Sequence, residues 1–139
     1  MKAVTSNFNF INKKAIKSIF FGVLSGIIIT VLLAILSSFI IMLIGKLFEG
    51  AADYIPFILL ASGSLAGGYI SARIRKSQGI ITGTATGLLM FIIIFAAGLS
   101  TFTGEFSLYI LIKAIVMIIF SIIGAVIGVN KKEKQRYKK

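Results

Sequence analysis

The stretch YIPFILLASGSLAGGYISARIRKSQGIITGTATG, residues 54–87, decides the fold. It opens with 19 uncharged residues, 54–72, close to the ~20 that cross the hydrocarbon core of a bilayer. Arg73, Arg75 and Lys76 follow, and a second uncharged run then extends from 77 to 104. Two apolar segments joined by a short basic link read as two membrane spans. Working outward, uncharged runs recur at 18–45 (28 residues) and 114–130 (17 residues). With 58% hydrophobic residues, 14% charged residues and a mean hydropathy of +1.02, a water-soluble domain is excluded. The expected fold is all-α: a polytopic membrane protein of four transmembrane helices in two helical hairpins. The spans fall at about 19–44, 55–72, 79–99 and 108–129, in one domain covering 1–139, with a basic tail at 130–139.

Composition narrows the chemistry. The chain has no His, Cys or Trp, so imidazole and thiolate metal sites, disulfides and cysteine nucleophiles are excluded. Its four acidic residues, Glu49, Asp53, Glu105 and Glu133, all lie outside the uncharged runs. Proton- and cation-coupled carriers usually keep an ionisable group at membrane depth, and none is placed there. The expectation is a non-enzyme with no cofactor, no metal and no catalytic residue. Lys2, Lys13, Lys14 and Lys17 precede an apolar run as in a secretory signal, but 19–44 is far longer than the ~7–15 residues of such a core. The run also lacks a small-residue cleavage site, so it reads as a retained span.

Basic residues are sorted by loop. Lys2, Lys13, Lys14 and Lys17 precede span 1; Arg73, Arg75 and Lys76 link spans 2 and 3; Lys131, Lys132, Lys134, Arg136, Lys138 and Lys139 form the tail. Lys46 and Lys113 are the only others. The positive-inside rule then places both termini in the cytoplasm of a multi-pass cell-membrane protein, with short hairpin loops outside. In this reading the net charge of +11 anchors topology, and nucleic acid is not an expected partner. The tail also fits a patch for anionic lipid. Val4, Phe8 and Ile11 suit either a short helix in the membrane interface or a frayed leader. Lys113, near the start of span 4, reads as an anchor whose ammonium snorkels outward.

Local chemistry suggests helix ends. Pro56 after Asp53 places the start of span 2 near Ile55, with Pro in the first turn. Ser77 and Ser107 are plausible N-caps for spans 3 and 4. Thr101, Thr103, Gly104 and Glu105 look like turn residues.

Small residues four apart occur in every span: Gly22/Gly26, Gly63/Gly67, Gly79/Gly83/Gly87 and Gly124/Gly128. Four residues return to one helix face, and in lipid such faces let backbones approach closely. Ser64/Gly68 and Thr82/Thr86 broaden them. All the pairs fall in one half of the membrane, so the bundle should be tightest there, with Phe39, Met42, Phe57, Phe91, Phe95 and Phe106 in the other half. Gly22, Gly26, Gly63 and Gly67 map onto Gly83, Gly87, Gly124 and Gly128 with a shift of 61 residues. Two hairpins related by an axis along the membrane normal would produce this, although glycine-rich apolar sequences also match themselves readily.

The segments Gly63-Ser-Leu-Ala-Gly67-Gly-Tyr-Ile-Ser-Ala-Arg73, Gly79-Ile-Ile-Thr-Gly83 and Gly124-Ala-Val-Ile-Gly128-Val-Asn-Lys-Lys132 together resemble a family of small four-span membrane proteins of Gram-positive bacteria, the YrzE-like proteins. The resemblance covers span 1 to the tail. It implies an integral membrane protein with no established activity and no catalytic residues to carry over. The excess of packing residues over chemical ones favours a non-catalytic accessory or scaffold subunit, packing through its glycine faces in a homo-oligomer or a larger membrane complex. The alternatives are a small channel or transporter acting as a homo-oligomer, and a holin-like permeabilising protein.

Overall fold

A computed structural model describes residues 2–45, 50–76, 78–100 and 108–136. Among these all regular secondary structure is helical: α1 (Lys2–Ile44), α2 (Ala51–Arg75), α3 (Gly79–Leu99) and α4 (Leu108–Arg136). Each contains a segment long and apolar enough to cross a membrane: Lys13–Ile44, Tyr54–Arg75, Gly79–Leu99 and Leu108–Lys131.

The helix ends differ from the sequence expectation in instructive ways. α1 runs unbroken from Lys2 through the span, so residues 2–14 form neither a separate interfacial helix nor a frayed leader. Nothing before Gly22 interrupts a helix, because residues 2–21 contain neither Gly nor Pro. At its other end α1 stops at Gly45, whose φ of 67° is the left-handed conformation that glycine adopts without steric cost; the Gly45 N–H donates to the Ile41 carbonyl. α2 starts at Ala51, a turn earlier than proline chemistry suggested, so Pro56 lies inside the helix. Pro56 lacks the amide that would have bonded the carbonyl of residue 52, so the first turns of α2 form with one backbone hydrogen bond fewer.

At the start of α3 the cap position belongs to Gln78, in left-handed conformation (φ 53°), without a side-chain cap bond. Its Oε1 instead accepts a hydrogen bond from Arg75 Nη2 at 3.0 Å. The proposed caps Ser77 and Ser107, and the turn residues Thr101, Thr103, Gly104 and Glu105, lie outside the described residues. Lys76, which caps α2, has φ 65°, and its N–H donates to the Ala72 carbonyl at 2.9 Å. A left-handed residue with a Cβ costs roughly 1–2 kcal/mol. Lys76→Gly should therefore raise the unfolding free energy by about 1 kcal/mol, measured as a shift in the denaturation midpoint of the detergent-solubilised protein.

Helix packing follows from which surfaces meet. α2 packs most extensively on α4 and α1, α3 packs mainly on α4, and α1 and α4 do not meet among the described residues. Gly22 lies against Ser71 and Gly67, and Gly26 against Gly63, so α1 and α2 run antiparallel. Gly79 and Gly87 on α3 meet Ala125 and Ile118 on α4, which is again antiparallel. α2 and α4 run parallel, because Leu65 meets Gly124 and Tyr69 meets Gly128.

Burial is confined to one end. Among the described residues, every buried one lies within 15–26, 61–72, 82–90 or 117–128, the half of each helix near the α1 N-terminus. Residues 27–60 and 91–116 contain no buried residue among those described. Of the bulky residues expected there, Phe39 and Met42 are 63% and 82% exposed, Phe57, Phe91 and Phe95 are half-buried, and Phe106 lies outside the described residues.

Candidate functional site

The tight end owes its geometry to missing side chains. Backbones can approach closely only where no Cβ intervenes, and a Cβ added at any of the nine glycines singled out from sequence would meet a neighbouring helix. At Gly22 and Gly67 it would approach α2 and α1 respectively, with 2.8 Å to the Gly67 carbonyl oxygen and 2.9 Å to that of Gly22. At Gly26 it would meet Met90, 2.7 Å from Sδ, and at Gly63 it would meet Thr30. Gly79, Gly83 and Gly87 all face α4, at Ala125, Ile122 and Ile118. Gly124 faces Leu65 and Gly128 faces Tyr69, both on α2. All nine are therefore occupied within a single chain. Gly45, Gly50 and Gly98 would meet nothing within 4 Å.

This arrangement departs from the 61-residue equivalence. Gly63 and Gly67 face α1, their partner in the first half, whereas their counterparts Gly124 and Gly128 turn away from α3 to face α2. The two halves use matching glycines on different interfaces.

Three groups complete the site, and of their members only Thr86 was singled out by the spacing of small residues. Met90, fully buried, lies where α1, α2 and α3 meet and touches the positions of Gly26 and Gly67; with Val23 and Met117 it forms the apolar core. Ser121 Oγ donates to the Gly83 carbonyl across α3 and α4 at 2.7 Å. Ser71 and Thr86 share a hydroxyl–hydroxyl bond of 3.0 Å across α2 and α3. Their signal was spacing: Ser71 continues the Gly63/Gly67 step of four, and Ser121, Gly124, Ala125 and Gly128 share one face of α4.

The remaining buried hydroxyls bond within their own helices. Ser18 donates to the Ala15 carbonyl, Ser64 to Ala61, and Thr82 to Gln78 and Gly79, all at 2.9–3.1 Å. Thr86 Oγ1 also lies 2.7 Å from the Thr82 carbonyl. Such back-bonding hides the polar atom from lipid and keeps the helix slim. What this end offers chemically is close approach and internal hydrogen bonding.

Charge surrounds the same end. Lys13, Lys14, Lys17, Arg73, Lys76 and Lys131 are exposed there, Arg75 is half-buried, and the Arg73 guanidinium lies 5.9 Å from the centroid of the Tyr69 ring. Lys132, Lys134 and Arg136 lie on the last turns of α4, but their side chains are outside the described residues, as are those of the four acidic residues. At the far end, half-buried Lys113 places its Nζ 5.6 Å over the Phe57 ring, joining α4 to α2.

Residues 15–128 match the family described as protein of unknown function (DUF3792). No curated protein and no solved structure matches the chain.

Proposed function

Because the chain belongs to DUF3792, a family of unknown function, we propose from its geometry that it is a non-catalytic membrane subunit, closed on itself at one end and open to a protein partner at the other. The observation that carries this reading is α1. The most apolar 18 residues of its span, with mean hydropathy 3.1, contain no buried residue, whereas the corresponding part of α2 is 39% buried. These are residues 27–44. The glycine faces, which the sequence offered as the assembly surface, are occupied inside the chain, so the partner surface moves to this outer half of α1. A second copy or a larger membrane complex would cover it.

The buried hydroxyls support a packing role, since each of them bonds within the bundle. The basic residues gathered at the tight end support the positive-inside orientation, with both termini and the tight end at the cytoplasmic face of the cell membrane.

Site-directed crosslinking tests the proposal. The chain has no cysteine, so Leu36→Cys supplies a unique attachment point for a photoactivatable group on the outer half of α1, at a side chain that is 60% exposed. Irradiated in native membranes, this position should give one discrete protein adduct. Ile123→Cys, exposed on α4 at the tight end, should give lipid adducts alone.

A further inference from the structure

We infer that the tight end carries a binding site for one anionic glycerophospholipid, in a groove between α1 and α3. The groove has a volume of about 350 Å³ and is lined entirely by apolar side chains, among them Phe20, Leu24 and Ile27 of α1 and Leu89 and Ile93 of α3. It exists because α1 touches α3 only lightly: the close approach of α1 is to α2, through Gly22 and Gly26, and Met90 spaces α3 away.

Two features identify the occupant. The first is depth. From Lys17 to Ile27 is ten residues, or ~15 Å along the helix, half of the ~30 Å hydrocarbon core. The groove thus follows one leaflet from its surface towards the midplane, the path of an acyl chain. The second is charge at the mouth. At about 100° per residue, Lys13, Lys17, Phe20 and Leu24 fall within an arc of about 60° on α1. Both lysines are exposed, and this spacing sets them one to three turns before Phe20 and Leu24, on the side of α1 that forms that edge of the groove. An acyl chain seated against Phe20, Leu24 and Leu89 would bring its phosphate under two ammonium groups. A zwitterionic headgroup adds a cation at the same place and is disfavoured, so the site selects net negative charge.

The inference is independent of the subunit reading, which concerns the outer half of α1 and shares only Ile27 with the groove. Its test uses the absence of tryptophan from the chain. Leu24→Trp places a single fluorophore at a groove position that is 47% exposed, so packing is retained. Ile123→Trp, at a position 43% exposed on α4 in the same half of the bundle, is the control. The full-length protein is reconstituted in phosphatidylcholine vesicles containing increasing fractions of phosphatidylglycerol brominated in its acyl chains. Half-maximal quenching of the Leu24→Trp variant is expected at a several-fold lower fraction of the brominated lipid than for Ile123→Trp. Adding Lys13→Gln and Lys17→Gln should remove that difference, and brominated phosphatidylcholine should quench both variants alike. Equal quenching of the two by phosphatidylglycerol would overturn the inference. So would a preference at the groove position that survives loss of both lysines.

Discussion

Gly124→Ala and Gly68→Ala are expected to be the most damaging single-methyl changes in the protein. The added Cβ at Gly124 would overlap the Leu65 carbonyl oxygen, and that at Gly68 would overlap the Ser121 carbonyl oxygen. Both obstacles are backbone atoms, so no rotamer change relieves them and the parallel pair α2 and α4 must separate. α2 packs on every other helix, so that separation disturbs the whole bundle. Forcing a methyl into a closely packed contact typically costs 1–3 kcal/mol, and rigid backbone on both sides places these at about 3 kcal/mol. Gly98→Ala is the internal comparison. It lies in α3 with nothing within 4 Å, so the same substitution should be neutral or stabilise by up to ~1 kcal/mol through helix propensity. Unfolding of the purified variants by titrated denaturing detergent would rank them, and equal stability of all three would refute the assignment of close backbone contact to α2 and α4.

Gly83→Leu is expected to abolish the folded bundle. A Cβ at Gly83 would stand 2.8 Å from Ala125 Cβ and 2.9 Å from both Ile122 Cα and the Ser121 carbonyl oxygen. A leucine side chain would also push Ser121 away from the Gly83 carbonyl, breaking the 2.7 Å bond that joins α3 and α4. Because these contacts are within one chain, the defect should appear in the monomer. Protease resistance should be lost in detergent even at high dilution, where oligomers dissociate. Ser121→Ala, which removes the hydroxyl but keeps the backbone approach, should cost only about 0.6 kcal/mol, an average for interhelical hydrogen bonds in membranes. A Gly83→Leu protein that folds as a monomer and fails only in self-association would contradict the single-chain packing described above.

The four spans were legible because a bilayer demands ~20 apolar residues and charges mark where such runs end. The extension of α1 back to Lys2 was not, since polar residues outside the bilayer permit helix and loop alike. The glycine spacing identified one face on each helix, and each of those faces meets a neighbour. Which neighbour it meets is a property of tertiary arrangement. Gly124 and Gly128 match Gly63 and Gly67 in spacing, yet they oppose α2 because α2 and α4 lie side by side in parallel. Cap residues were the least legible. Gln78 and Lys76 hold left-handed conformations with little sequence preference for them, in a link held by an Arg75–Gln78 bond. Met90 looked like one more apolar residue of span 3, and only the glycines facing it from α1 and α2 give it its place.

In the proposed subunit role the tight end is complete within one chain and another protein covers the outer half of α1. Photo-crosslinking from position 36 in native membranes, with position 123 as control, separates this role from that of a helix facing only lipid. A single protein adduct of defined mass is expected from position 36, whether a second 15.0 kDa copy or a larger partner, and none from position 123. Lipid adducts alone from both positions would contradict it, leaving residues 27–44 as a surface that faces only the bilayer.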